Sequence, residues 1–203
     1  HQYEHNQVDQ DFCSLLKKDK TNVKSLEEIP FLPIQFFKSH AVLSSSKPIQ
    51  ETFTSSGTSG MVSSKHLFTD LSLYEQSFRK AFSQFYGNSE NYVILALLPS
   101  YLEREGSSLI YMVNDLIESS NHPESGFYLH NYDELVQQLI KIDSSGQNVL
   151  LIGVTYALLD VVEKQTFQLK NTIIMETGGM KGKRKEIIRE ELHEMLCQGF
   201  GVS

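Results

Sequence analysis

Residues 147–180 read QNVLLIGVTYALLDVVEKQTFQLKNTIIMETGGM, and this stretch decides the fold class. Val149–Gly153 is an unbroken apolar run closed by glycine, short enough for a buried strand and too short for a core helix. Residues 156–164 then place apolar side chains at helical spacing, and Thr172–Glu176 forms a second apolar-rich run. Two such strands joined by a helix pair in parallel, because a parallel crossover needs a long connection that a hairpin does not.

The same alternation extends toward the N-terminus. Tyr92 to Leu98 is a buried strand ended by Pro99. Leu109, Met112, Val113, Leu116 and Ile117 mark a helix, residues 126–130 a strand, and residues 133–142 another helix. Leu71, Tyr74, Phe78, Ala81, Phe82 and Phe85 fall on one helical face, with Ser72-x-x-Glu75 resembling a capping box at its start. Toward the C-terminus, residues 184–197 read as an amphipathic helix built on Ile187, Ile188, Leu192, Met195 and Leu196. The fold class is therefore α/β, a mostly parallel sheet flanked by helices. Residues 1–50 form a separate N-terminal region, helical over 11–18 and extended over 29–37, where Pro30 and Pro33 disfavour helix. Residues 51–203 make up the α/β portion.

Composition narrows the function classes. A 203-residue chain with 40% hydrophobic and 21% charged residues has enough apolar material for a real core. A formal charge of -7 argues against a broad nucleic-acid face, and the short basic run 181–185 reads as a solvated loop or helix start. The chain carries two cysteines, Cys13 and Cys197, at no disulfide or zinc spacing, which points to a reducing, cytoplasmic setting. The scattered histidines suggest no metal site, and no apolar run reaches the roughly 20 residues a membrane span needs.

In open parallel sheets ligands sit beyond the carboxyl ends of strands, so the loops after apolar runs draw attention. Thr54, Ser55, Ser56, Gly57, Thr58, Ser59 and Gly60 form the richest loop, followed by Met61, Val62, Ser63, Ser64 and Lys65. Its glycines let backbone approach an anion, its hydroxyls and N–H groups donate to phosphate oxygens, and Lys65 adds positive charge. It does not match the G-x-x-x-x-G-K-[ST] phosphate loop, and its alternative reading is a flexible Ser/Gly linker. A second loop, Glu176-Thr177-Gly178-Gly179-Met180-Lys181-Gly182, follows a strand directly. Gly178 and Gly179 permit a tight turn against a flat ring and Lys181 reaches a phosphate or carboxylate, the alternative being a turn that only relieves backbone strain. Thr155, after Gly153-Val154, reads as a helix N-cap.

From IPFLPIQFFKSH (29–40) through FTSSGTSG (53–60) to METGGMKGKRKE (175–186), the chain resembles the adenylate-forming ligases. Within them it is most similar to the acyl-protein synthetases of the bacterial luminescence fatty-acid reductase system, with phenylacetate–coenzyme A ligases more distant. The resemblance implies that the chain is the N-terminal part of such an enzyme's large domain. It implies that residues 54–60 hold the β- and γ-phosphates of ATP and that Gly178 and Gly179 line the nucleotide and acyl pocket. It also implies Mg2+, a carboxylic acid substrate, and a thiol acceptor, either coenzyme A or a protein cysteine. Relatives place Pro-Lys just after the second glycine, where this chain has Met61-Val62-Ser63-Ser64 before Lys65.

The family's Tyr-Gly-x-Thr-Glu segment, whose Glu helps hold magnesium, and the domain carrying its catalytic lysine would follow Ser203. A first residue other than Met and an ending without a closing element agree with a truncated chain, expected to bind nucleotide weakly and to turn over little by itself. The rival expectations are a degenerate adenylate-forming fold that binds a nucleotide or partner without turnover, and a structural α/β domain whose loop is a linker.

Overall fold

The computed structural model describes residues 1–55, 62–99, 106–180, 182–185 and 187–203. The chain divides into two compact units, His1–Glu75 with Glu105–Ser108, and Gln76–Arg104 with Leu109–Ser203.

The first unit opens with two helices, α1 (Gln2–His5) and α2 (Gln7–Leu15). The sequence pattern places this helix at 11–18, but it starts earlier because the Asn6 side chain accepts from the amides of Val8 and Asp9 at 3.1 and 3.3 Å. It ends at Leu15 because Lys17 takes φ +54 and the Lys18 amide donates back to the Cys13 carbonyl at 2.9 Å, closing the last turn. After a 3-10 turn at Leu26–Glu28, Pro30 and Pro33 keep the chain out of helix, and past them a single turn forms, α3 (Phe36–Ser39).

An antiparallel hairpin follows, β1 (Glu51–Thr54) with β2 (Lys65–Phe68). The sequence carries no signal for these strands, since each has four residues and neither shows apolar alternation. What holds them is aromatic packing: Phe53 is buried, with its ring centroid 5.2 Å from both Phe68 and Tyr74. Helix α4 (Leu71–Tyr86) begins in this unit and continues into the second. Its start is fixed by Asp70, whose carboxylate accepts from the Ser72 amide at 3.2 Å and the Ser72 hydroxyl at 2.6 Å.

The second unit is the expected parallel sheet. Its strands β3 (Val93–Leu97), β4 (Gly126–Tyr128), β5 (Val149–Gly153) and β6 (Thr172–Glu176) lie in the order β4-β3-β5-β6, all parallel. Their connections are α5 (Ser108–Ser120), α6 (Tyr132–Ser144) and α7 (Thr155–Lys164), and α8 (Arg189–Phe200) follows β6. Every residue of β3 and β5 is buried, as strands covered on both faces require. The core joins these strands to Val113, Leu116, Leu135, Leu139, Leu158 and Phe200 from the helices. Strand β4 stops at Tyr128 because the Asn131 side chain accepts from the Leu129 amide at 3.0 Å and turns the chain into α6.

Because the chain goes from β3 to β4 on one side and then to β5 on the other, the sheet has a topological switch point between β3 and β5. Helix α8 starts at Arg189, five residues later than its periodicity suggests, because residues 182–185 form a loop whose Arg184 side chain is held by α7. Among the described residues no helix is long and apolar enough to cross a membrane.

Candidate functional site

The Ser/Thr/Gly loop lies in sequence between β1 and β2, and its first residues, Thr54 and Ser55, are at the end of β1. Register pairs Thr54 with Lys65, so both side chains stand on one face of the ribbon at the root of the loop. The root is tied by three hydrogen bonds: Ser55 amide to Ser64 carbonyl at 3.0 Å, Ser64 amide to Ser55 Oγ at 3.0 Å, and Thr54 amide to Gly106 carbonyl at 2.8 Å. Ser56, Gly57, Thr58, Ser59 and Gly60 lie outside the described residues. Lys65, placed by sequence several residues past the glycines, is thus returned by strand pairing to the side of Thr54.

His66 is a neighbour that sequence reasoning missed. Its Nε2 lies 3.3 Å from the hydroxyl of the buried Ser64, and its ring stacks on Phe37 with centroids 4.9 Å apart. The same unit holds a cavity of about 800 Å3 lined by Tyr3, Cys13, Val23, Ile29, Phe31 and Phe37, and by none of Thr54, Ser55 or Lys65. Burial, helped by Asp9, pushes the Cys13 thiol up, which keeps it protonated and a poor nucleophile at neutral pH.

In the second unit the carboxyl ends of β5 and β6 carry the glycine loop. Gly153 ends β5 where a Cβ would sit 2.6 Å from Leu158 Cδ2, so only glycine lets α7 turn back directly onto the strand. The N-cap of α7 is Val154, and no side chain caps the helix. Thr155 is therefore not the N-cap its sequence position suggests. Its hydroxyl, in a buried residue, donates to Glu176 Oε1, a partner brought by strand pairing and invisible to local capping rules.

The same Oε1 accepts from the Gly178 amide at 2.7 Å, while the Thr177 amide donates to the Gly153 carbonyl at 3.0 Å. Gly178 and Gly179 adopt φ +81 and +101, a backbone that side chains rarely tolerate, so the glycine pair is a requirement of this turn. Lys181 lies outside the described residues. Glu176, quoted with the loop but given no role in the sequence reading, is the polar hub of this end of the sheet.

Past the glycines, Arg184 ties the loop down to α7. Its Nε donates to Asp160 Oδ1 at 3.1 Å and its Nη1 and Nη2 donate to the two Glu163 oxygens at 2.5 and 2.6 Å. Glu163, and then Asp160, push the guanidinium pKa further up, and Arg184 in turn draws the Glu163 carboxyl below the ordinary carboxylate range. Tyr132 joins this cluster, its hydroxyl 3.5 Å from Asp160 Oδ2 and its ring 4.9 Å from Lys164 Nζ.

Burial first, and the Asp160 charge second, push the Tyr132 phenol up to about 12. In the unfolded chain it ionises near its ordinary value of about 10. The contribution is whole below that value and is lost as pH rises through the folded value. We expect alkaline stability to fall less steeply for Tyr132→Phe than for the wild type across that window; parallel curves from denaturation at stepped pH would contradict this.

Comparisons with curated proteins and with solved structures gave no match to the chain. The family description Acyl-protein synthetase, LuxE, matches residues 1–89, the stretch that holds the β1–β2 hairpin and its loop, so over that stretch the resemblance to the acyl-protein synthetases is shown.

Proposed function

We propose that the protein serves ATP-dependent activation of a carboxylic acid of the fatty class, forming an acyl-adenylate whose acyl group passes to a thiol of coenzyme A or of a protein. The observation that carries this reading is the family match, because it spans the hydroxyl- and glycine-rich segment whose residue types best suit a polyphosphate. In the reaction a substrate carboxylate oxygen attacks the α-phosphorus of ATP. The bond to the bridging oxygen breaks and pyrophosphate leaves with the negative charge.

The chain's part is to position and to neutralise. The hydroxyls of Thr54 and Ser55, with the hydroxyls and amides of the loop to Gly60, donate to phosphate oxygens, with Lys65 at the root as counter-charge. Gly178 and Gly179 keep backbone close to the nucleotide, and Lys181 pairs with a phosphate or carboxylate. These residues suit the nucleotide, for the Thr54 hydroxyl and the exposed Lys65 stand on one face of the ribbon at the hairpin root. Magnesium would supply further neutralisation of the pyrophosphate. Among the described residues no group of three or more His, Cys, Asp or Glu is placed to hold it.

Trapping with hydroxylamine on the full-length protein tests the reading: ATP, Mg2+ and a fatty acid should give the acyl hydroxamate together with AMP. Release of ADP, or no hydroxamate with any fatty or aryl acid, would contradict it. Nucleotide binding without hydroxamate would favour a binding module. Thr58→Ala and Lys65→Ala are each expected to weaken ATP binding by about 3- to 10-fold, the worth of one hydrogen bond or charged contact. Unchanged affinity by calorimetry would refute the loop assignment.

A further inference from the structure

Glu176 stands at the carboxyl end of β6 with its two oxygens differently employed. Oε1 accepts from both the Thr155 hydroxyl and the Gly178 amide. Among the described residues no donor reaches Oε2, and it is not among the buried side-chain atoms left without a partner, so it is open to solvent. The two anchors come from different elements, the start of α7 and the glycine turn, and hold the carboxylate in one orientation. An acceptor fixed by one oxygen and free at the other, where parallel sheets bind ligands, is built to receive a hydrogen bond.

We infer that Glu176 Oε2 is the acceptor for the nucleoside half of the ligand, taking a hydrogen bond from a ribose hydroxyl or a base amino group; this rests on the nucleotide reading above. The chemistry discriminates among parts of the ligand. A carboxylate repels phosphate and the substrate's own carboxylate, whereas hydroxyl and amino groups bring the hydrogen it lacks. Glu176 is then a specificity-determining contact, and Thr155 and Gly178 are its positioning partners.

Competition against a fluorescent ATP analogue tests this with two probes, adenosine and tripolyphosphate. In Glu176→Gln the amide oxygen can keep the Thr155 and Gly178 donors, while the amide NH2 meets the ligand's donor. Adenosine should bind about tenfold more weakly, as loss of a charge-assisted hydrogen bond implies. Tripolyphosphate should stay within about twofold, since that contact is not made to phosphate. Adenosine affinity left at the wild-type level, or both probes weakened alike, would overturn the inference and leave the ATP reading standing. Failure of the wild-type protein to bind the ATP analogue would overturn both. Should the variant melt early, the carboxyl 13C resonance of Glu176 in the wild type decides: it should move with adenosine and not with tripolyphosphate, and a resonance indifferent to adenosine would overturn the inference.

Discussion

Leu151→Ala is expected to lower the free energy of unfolding by about 4 kcal/mol, near the top of the range for such changes. Leu151 is fully buried in β5, paired in register with Leu95 of β3 on one side and Ile174 of β6 on the other. The backbone hydrogen bonds of both neighbours fix the strand's position, so the structure cannot collapse into the space the side chain leaves. The loss therefore combines the transfer term with nearly the whole cavity term. Urea unfolding followed by circular dichroism should show a lower midpoint with an unchanged slope. Leu151→Met, which conserves volume, should cost less than about 1.5 kcal/mol. Equal midpoints for Leu151→Ala and wild type would mean that β5 is not the centre of the core.

Asp143→Ala should cost about 3 kcal/mol, because the residue is buried and satisfies several donors at once. Its carboxylate accepts from the amides of Lys170 and Asn171 at 3.1 and 2.8 Å and from the Thr172 hydroxyl at 2.8 Å. The Asn171 side chain donates to its backbone carbonyl at 2.9 Å. These bonds clamp the end of α6 to the start of β6 and so set where that strand enters the sheet. Removing the carboxylate strands the donors, whereas Asp143→Asn keeps one acceptor oxygen and should cost less than the alanine change. Thermal unfolding of the two variants checks the order; a milder effect for alanine than for asparagine would contradict it.

Asp143 also shows what a sequence hides. An acid in the last turn of a helix opposes the helix dipole, and that misfit was the available sign of a tertiary role. Its partners lie in the segment entering β6, beyond the reach of local rules. Residues 147–180 were legible because continuous apolar runs and helical spacing are local signals, and Val149–Gly153 and Thr172–Glu176 form strands over those very spans. The β1–β2 hairpin was not, because its strands are short and are held by Phe53, Phe68 and Tyr74 meeting in space. The spacing of Ile187 and Ile188 extends the pattern of α8 toward the N-terminus, while Arg184 is bound to carboxylates of α7 and the helix begins only at Arg189.

The candidate site divides in the same way. Gly178 and Gly179 stood out because positive φ leaves a mark in residue type. Glu176 carried no such mark: an acid after a strand looks the same in sequence whether it is solvated or accepts from Thr155 and Gly178. Thr155 misled because threonine before a helix is a good cap anywhere, and only the neighbouring strand shows where its hydroxyl goes.

Carboxylate-dependent exchange of labelled pyrophosphate into ATP, measured on the full-length protein, bears most directly on the proposed activation. Label should enter ATP when a fatty acid and Mg2+ are present and should not when the acid is withheld, while absence of exchange with every fatty and aryl acid tried would contradict acyl-adenylate formation.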